Sequence, residues 1–234
     1  MTAVTATTTT PTHRRRALLA GLSYYVTHIT SVAAAIIFVG AFAQHDLARQ
    51  ASPLILAVAL EVILALGCLA TGVLLLPILL PHGAAAAYAF SAMRTMEAAV
   101  IAAGTVPVLG ALWWAQRAAP GEVPSSLVTA LESIHDAGFL VGQGLIISVN
   151  SIVIGWLLWR SGLVPRGIGL LGMTGGAVVL VGNALQLTGA IEFGGTIAGA
   201  MAAPIFAFEI WFASYLVFVG VRNVQGTSAR EAVA

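Results

Sequence analysis

Charged residues are scarce in this 234-residue sequence: aspartate, glutamate, lysine and arginine together make up 8% of it. Soluble domains carry roughly 25% charged residues and have no room to bury a hydrophobic fraction as large as the 59% found here. The sequence is therefore not that of a soluble globular protein. Lysine is absent, and all ten basic residues are arginine, which fits GC-rich coding and indicates a bacterial source.

The near balance of charge and the lack of sequence motifs exclude further classes. The formal net charge is +1 and the arginines are scattered over predicted loops, so we predict no nucleic-acid partner. The single cysteine, Cys68, excludes an intramolecular disulfide. There is no glycine-rich phosphate loop, nucleophile elbow, His-Glu-x-x-His motif or paired-cysteine spacing, so we predict no cofactor and no metal site.

Long apolar runs are what the sequence does contain. The mean hydropathy is +0.97, and a helix needs about 20 mostly apolar residues to cross a bilayer. Six runs meet this length, so we predict an all-α fold, a polytopic transmembrane bundle of six helices. The predicted spans are residues 18–42, 54–80, 87–115, 137–159, 168–191 and 196–221.

The spacing of these runs predicts one membrane domain. It covers residues 17–222, between a disordered basic tail over residues 1–16 and a short C-terminal tail over residues 223–234. Cytoplasmic loops of membrane proteins carry the excess of positive charge. With the N-terminus inside, seven arginines are cytoplasmic and two, Arg49 and Arg117, face out. We therefore predict a multi-pass protein of the bacterial inner membrane with both termini in the cytoplasm.

Several ionisable residues lie inside predicted spans, where each costs about 2.5–3.5 kcal/mol to insert. Arg94 and Glu97 are three residues apart on the third span and so share a face of the helix. They form either a self-compensating ion pair or part of a site. Glu209 lies among aromatic residues of the sixth span and would stay protonated, as a proton donor does, unless a cation lies beside it. The simplest partner for Glu209 is Arg94.

A second group of ionisable residues marks the outer entrance of the fourth span. Glu132, His135 and Asp136 have the spacing i, i+3 and i+4, which places them on one face. Glu61 on the second span lies at a similar depth, roughly 10 Å from the outer end at 1.5 Å per residue. Glu-x-x-His is also the unit of di-metal helical bundles, but those need two such units. Solvation of a helix end is the main alternative.

Polar side chains thus occur at intermediate depth on five or six helices, which is more than packing requires. His28 and three amides either join helices by hydrogen bonds or line a cavity. We predict an internal polar pocket that opens to the outer side. Its predicted lining residues are Arg94, Glu97, Glu61, Glu132, Asn150, Asn183 and Gln186. Glu209, Asp136 and His135 are the candidate catalytic acids and bases.

Several segments of the sequence resemble those of the bacterial Domain of Unknown Function 4386 family of multi-span membrane proteins. They are Arg94-x-x-Glu97, His135 to Gly142, Trp159 to Arg166, Gly169 to Gly172, and Pro204-x-x-x-x-Glu209 leading into Trp211. The resemblance covers residues 18–220 and implies a six-span bundle without implying an activity. It singles out a recurring polar set formed by Arg94, Glu97, His135, Asp136, Arg166 and Glu209.

Three classes of function fit this sequence. The first is a membrane protein that binds a small or lipid-like molecule in its pocket and acts on it by acid–base chemistry, as an intramembrane isomerase or cyclase would. The second is a proton-coupled transporter, which the lack of an evident repeat and the count of six spans disfavour unless the chain dimerises. The third is a non-catalytic structural or regulatory membrane subunit. The predicted partners are the lipid bilayer and a small hydrophobic ligand.

Overall fold

A computed structural model describes residues 11–119 and 122–222, and in these ranges the chain forms helices and connecting turns, without a strand. The α-helices are α1 (Pro11–Phe42), α2 (Ala51–Leu79), α3 (Ala84–Ala115), α4 (Ser125–Phe139), α5 (Ile147–Ser161), α6 (Arg166–Leu187) and α7 (Thr196–Phe218). A π-helical segment, Leu140–Ile146, joins α4 to α5 in one continuous span of 37 residues. A short 3-10 turn, Leu80–His82, follows α2.

Six helical spans in the described part of the chain are long and apolar enough to cross a membrane. They confirm the predicted all-α six-helix bundle and indicate a multi-pass membrane protein. Helices suit a lipid environment because their backbone N–H and C=O groups are satisfied within the segment. Large aliphatic side chains such as Ile29, Ile36 and Val39 are exposed on the outer surface of the bundle, where a bilayer would cover them.

The first helix begins earlier than predicted. Residues 11–16 were assigned to a disordered tail, but they form the first turns of α1, which begins at Pro11 instead of Leu18. The guanidinium of Arg14 donates hydrogen bonds to the carbonyl oxygens of Leu216 (3.1 Å) and Val217 (2.8 Å), which end α7. This contact fixes the first turns of α1. The other residues of the two predicted tails, 1–10 and 223–234, lie outside the described residues.

Other span boundaries also differ from those predicted. The fourth span begins at Ser125 and not at residue 137, because the amphipathic α4 buries Val128 and Leu131 against its neighbours. The fifth ends at Leu187, four residues before residue 191, where Gly189 adopts the left-handed conformation with φ of 71° that ends a helix. The sixth ends at Phe218, three residues before residue 221.

The interior has two main apolar cores. The six-helix core, at the end where α1 begins and α7 ends, draws residues from all six spans, including Phe90, Leu157 and Phe208. The four-helix core, at the opposite end, is formed by α1 to α4 and the α1–α2 turn, and includes Phe42 and Leu112. Buried polar side chains lie between these cores, so the fold places its ionisable groups at mid-depth.

Candidate functional site

The third span contributes a buried ion pair to this polar layer. Arg94 and Glu97 are one turn apart on α3, and Arg94 Nη1 lies 2.8 Å from Glu97 Oε2. Both side chains are only 2% exposed. An uncompensated charge at this depth is costly. Glu97, on the same helix, offsets part of the cost of burying the charge of Arg94.

Neighbouring helices hold the guanidinium of Arg94 in place. Its Nε donates a 2.8 Å hydrogen bond to the hydroxyl of Thr71 on α2, and that hydroxyl donates to the carbonyl of Cys68. The guanidinium also lies over the ring of Tyr24 on α1, 5.1 Å from the ring centroid. The thiol of Cys68 donates to Glu97 Oε1 at 3.7 Å. Arg94 is therefore held by groups from three helices.

The last span brings a second carboxyl group to this layer. Glu209 on α7 lies with Oε2 3.4 Å from Nε2 of His28 on α1, and with Oε1 3.9 Å from Nη1 of Arg94. Arg94, the partner expected for Glu209, is thus within ion-pair distance, but His28 is closer.

The hydrogen bonding of His28 fixes which ring nitrogen faces Glu209. Its Nδ1 lies 2.8 Å from the carbonyl oxygen of Tyr24, and because a carbonyl only accepts, Nδ1 carries a hydrogen. In the neutral ring Nε2 is then an acceptor. This nitrogen faces Glu209 Oε2 at 3.4 Å, a distance over which a proton can pass between the two groups.

A cavity of about 310 Å³ adjoins these residues. It extends from the Arg94–Glu97 pair to the connection between α6 and α7, where the exposed Phe193 and Gly194 line it. This volume is at the lower end of the range for small-molecule sites, roughly 300–1,000 Å³. The polar side chains in its wall are Thr27, Ser31, His28, Arg94, Glu97, Gln143, Asn183, Gln186 and Glu209.

Amide side chains form another part of the cavity wall. Asn183 donates to the hydroxyl of Ser148 at 3.4 Å, and Gln186 donates to Oδ1 of Asn183 at 3.0 Å. The carbonyl of Gln186 accepts a 3.0 Å hydrogen bond from the backbone N–H of Gly194, which fixes the α6–α7 connection beside the cavity. The wall is thus polar and ordered without further charge.

A separate polar cluster lies nearer the four-helix core. His135 Nε2 is 2.9 Å from Glu61 Oε1, and His135 Nδ1 is 3.8 Å from Asp136 Oδ1. The rings of Phe38 and Phe42 pack on the imidazole, with centroids 4.2 and 6.2 Å away. A small void of about 10 Å³ lies beside this cluster and shares Phe139 and Gln143 with the lining of the main cavity.

The structure places the predicted site residues in four different settings. Five of them line the main cavity: Arg94, Glu97, Asn183, Gln186 and Glu209. Glu61 and His135 line the small void, and Glu132 and Asp136 are half-buried on α4. Asn150 is buried in α5, where its Oδ1 has no hydrogen-bond partner among the described residues and the side chain does not line the cavity.

Several neighbours of the site were not identified from the sequence. Tyr24, Thr71 and Cys68 hold the Arg94–Glu97 pair, and Ser31 donates a 2.7 Å hydrogen bond to Gln143 in the cavity wall. Hydroxyl and thiol side chains are common in membrane helices, so their presence in the sequence did not mark these residues as neighbours of the site. His28 was noted as a residue that hydrogen-bonds between helices, but its pairing with Glu209 depends on the packing of α1 against α7.

A family model described as Domain of unknown function (DUF4386) matches residues 18–220 of the chain. No curated protein matches the chain, and no solved structure does.

Proposed function

The chain belongs to the Domain of unknown function (DUF4386) family, and we propose that it is an integral membrane protein whose cavity binds a small or lipid-like molecule and exchanges a proton with it. The observation that carries this proposal is the pairing of Glu209 with His28 in the wall of the cavity. A carboxyl group and an imidazole at this distance can act as a general acid and its partner base.

The surrounding charges support a proton-transfer role for Glu209. When its acid form gives a proton to a carbonyl or an alkene of the bound molecule, the carboxylate that forms lies 3.9 Å from Arg94 Nη1. This cation stabilises the carboxylate, and the charge of the new carboxylate is balanced by the proton that the ligand has received. The carboxylate then takes a proton from another atom of the same molecule. Such a sequence is an isomerisation and consumes no other reactant.

In this proposal His28 takes the part that Asp136 or His135 was expected to play. Asp136 and His135 lie on α4, and His135 lines the small void. His28 touches Glu209 directly and is 9% exposed. Its Nε2 accepts a proton from Glu209 or returns one. The pair can therefore both give a proton to the ligand and take one from it.

Experiments distinguish this proposal from the two other classes of function, a proton-coupled carrier and a non-catalytic subunit. A proton-coupled carrier needs access from both ends of the bundle, but the six-helix core fills one end with apolar side chains. A non-catalytic subunit needs no proton exchange with a ligand. Carrier activity predicts solute-driven proton flux in liposomes, whereas the proposed chemistry predicts none.

Deuterium exchange tests the proposed chemistry without knowledge of the substrate. Protein in nanodiscs made from host lipid extract is incubated in D₂O, and mass spectrometry follows deuterium entering C–H positions of the extracted lipids. The wild type should label one lipid species, and Glu209→Gln should reduce the rate about 10²–10⁴-fold, as expected on losing a general acid. Glu192→Gln, which changes an exposed acid in the α6–α7 connection, is the matched control.

An unchanged rate in Glu209→Gln would refute Glu209 as the acid. If no lipid is labelled by the wild type while liposomes show Glu209-dependent proton flux, the carrier interpretation replaces this one. If neither signal is seen and Glu209→Gln is merely less stable, the protein is a structural subunit.

We also propose that both termini are cytoplasmic and that the cavity therefore opens on the outer side of a bacterial inner membrane, as the arginine distribution predicts. Single cysteines introduced into a variant without Cys68 test this arrangement. In intact cells a membrane-impermeant maleimide should label Gln44→Cys in the α1–α2 turn and leave Gly162→Cys unlabelled. The reverse pattern would place the cavity mouth in the cytoplasm.

A further inference from the structure

The cavity has a lateral side between α1 and α7 that leads to the surface covered by lipid. Near the six-helix core these helices pack tightly, since a Cβ at Gly21 would lie 2.7 Å from Val217 Cγ2 and 2.8 Å from the carbonyl oxygen of Ala213. Farther along, Val32 on α1 and Phe206 on α7 both line the cavity and are 48% and 47% exposed. The cavity therefore reaches the outer face of the bundle between these two helices.

An apolar groove continues this opening along the outer face of α7. It is lined by Gly199, Ala202, Ala203, Phe206, Ala207 and Ile210, and its volume is about 370 Å³. Gly199, Ala202 and Phe206 line both the groove and the cavity. A molecule is thus able to lie with one end in the cavity and the other in the groove without leaving the protein.

The charged side chains of the cavity restrict the chemistry of the end of the molecule that enters it. Each cationic or basic side chain in the cavity wall already faces a carboxyl group, since Arg94 lies beside Glu97 and Glu209, and His28 lies beside Glu209. Among the described residues that line the cavity, no cation is without a carboxyl partner, and the two carboxyl groups disfavour a phosphate or carboxylate. Amide and hydroxyl groups, such as those of Gln143 and Ser31, suit an uncharged hydroxyl or carbonyl.

The volume of the cavity restricts the length of what it holds. At about 30 Å³ for each water-sized group, 310 Å³ accommodates roughly ten such groups. A polar head and the first carbons of a chain fit, but a chain that spans a bilayer leaflet does not. The remainder of a long chain has to leave through the gap between Val32 and Phe206, which opens onto the groove.

We propose that the ligand of this site is a long-chain amphiphile with an uncharged hydroxyl or carbonyl head, which enters sideways from the bilayer between α1 and α7. Its head lies beside Glu209 and His28, and its chain lies in the groove of α7. This inference rests on the proposed function, because it assumes that the cavity binds a molecule.

Photolabelling with two alcohols tests the lateral route. The long probe is a sixteen-carbon primary alcohol with a diazirine in its chain, and the short probe is a water-soluble four-carbon diazirine alcohol. Ala203→Trp fills the groove without lining the cavity, and Ala200→Trp, exposed on the same helix but outside groove and cavity, is the matched control. In nanodiscs the long probe should label residues 196–210 in the wild type and in Ala200→Trp. In Ala203→Trp this labelling should fall about tenfold.

The short probe distinguishes failure of the route from failure of the site. It should label cavity residues equally in the wild type and both variants, which also shows that Ala203→Trp is folded. If the short probe does not label the cavity of the wild type, the proposed function itself is wrong. If it does, and the long probe labels Ala203→Trp as strongly as the wild type, the lateral route is wrong.

Two further measurements complete the test. Should Ala203→Trp fail to fold, Ala207→Trp replaces it, because Ala207 also lines the groove and not the cavity. An excess of unlabelled hexadecanol should compete with the long probe, whereas hexadecyl phosphate should not. If hexadecyl phosphate competes as strongly as hexadecanol, the proposal that the ligand has an uncharged head is wrong.

Discussion

At the scale of single residues, the stability of the polar layer depends on Arg94 and Glu97. Both side chains are only 2% exposed, and removal of Glu97 leaves the buried Arg94 with only the more distant carboxyl group of Glu209, 3.9 Å away. We predict that Glu97→Gln lowers the free energy of unfolding by about 3–5 kcal/mol. Thermal unfolding in detergent, followed by size-exclusion chromatography, measures this change.

An exposed ion pair in the same protein provides the control for this measurement. Arg49 and Asp46 form a 3.3 Å pair in the α1–α2 turn, with side chains 86% and 43% exposed. Solvent screens such a pair, so Asp46→Asn should leave thermal stability close to that of the wild type. If both variants lose the same stability, burial is not what makes the Arg94–Glu97 pair important.

A contact between two residues could be predicted from the sequence only where their spacing along one helix, or their depth along two helices, was sufficient to indicate it. Arg94 and Glu97 share a face because they are three residues apart, and Glu61 and His135 were placed at a similar depth by counting residues along their helices. The structure brings the second pair to 2.9 Å. His28 and Glu209 were not paired in advance, because nothing in the local pattern of α1 or α7 indicates that these helices are neighbours.

At the scale of helices, close approach of α5 and α6 depends on glycine. A Cβ on Gly155 would lie 2.6 Å from the backbone nitrogen of Met173 and 2.8 Å from the carbonyl oxygen of Gly169. Backbone atoms cannot move aside as a flexible side chain does, so the helices would have to separate. We predict that Gly155→Ala destabilises the protein by about 1–3 kcal/mol, measured by the same thermal assay.

Gly104 on α3 is the matched control, since a Cβ there would meet nothing within 4 Å. Gly104→Ala should leave stability unchanged or raise it slightly, because alanine restricts the unfolded chain more than glycine does. Equal losses in the two variants would mean that loss of glycine within a helix, and not contact between α5 and α6, causes the effect.

The π-helical segment of the fourth span was not predicted. An apolar run predicts a helix but does not reveal where its hydrogen bonding widens from i+4 to i+5. In the structure the segment Leu140–Ile146 contributes Gln143 and Gly144 to the cavity wall. A Cβ on Gly144 would lie 3.0 Å from the side chain of Asn183, so contact with α6 is part of what shapes this segment.

At the scale of the whole molecule, the two cores differ in how many elements support them. The six-helix core draws on all six spans, whereas the four-helix core lacks contributions from α6 and α7. We predict that backbone amides of α4 exchange with solvent deuterium faster than those of α5 in nanodiscs, because local opening at the four-helix core breaks fewer contacts. Mass spectrometry of peptic fragments measures both rates, and equal protection would show that the bundle opens as one unit.

The number of spans was predictable from the sequence, but their arrangement was not. Length and apolar composition define a membrane helix, and the structure confirms six of them. These helices are apolar on nearly every face, so the pattern that marks the buried side of a soluble helix is missing. The contact of α1 with α7, and the cavity that it borders, depend on close packing that composition does not encode.

The contact between the first and last spans affects how the protein is assembled during synthesis. The ribosome releases α1 before any other span and α7 after all of them, so His28 has no Glu209 beside it while the intervening helices insert. Arg94 already has Glu97 on its own helix when α3 enters the bilayer. A chain cut short before Thr196 would keep that ion pair but lack one wall of the cavity. Its polar flank would then face lipid, where ionisable groups are costly.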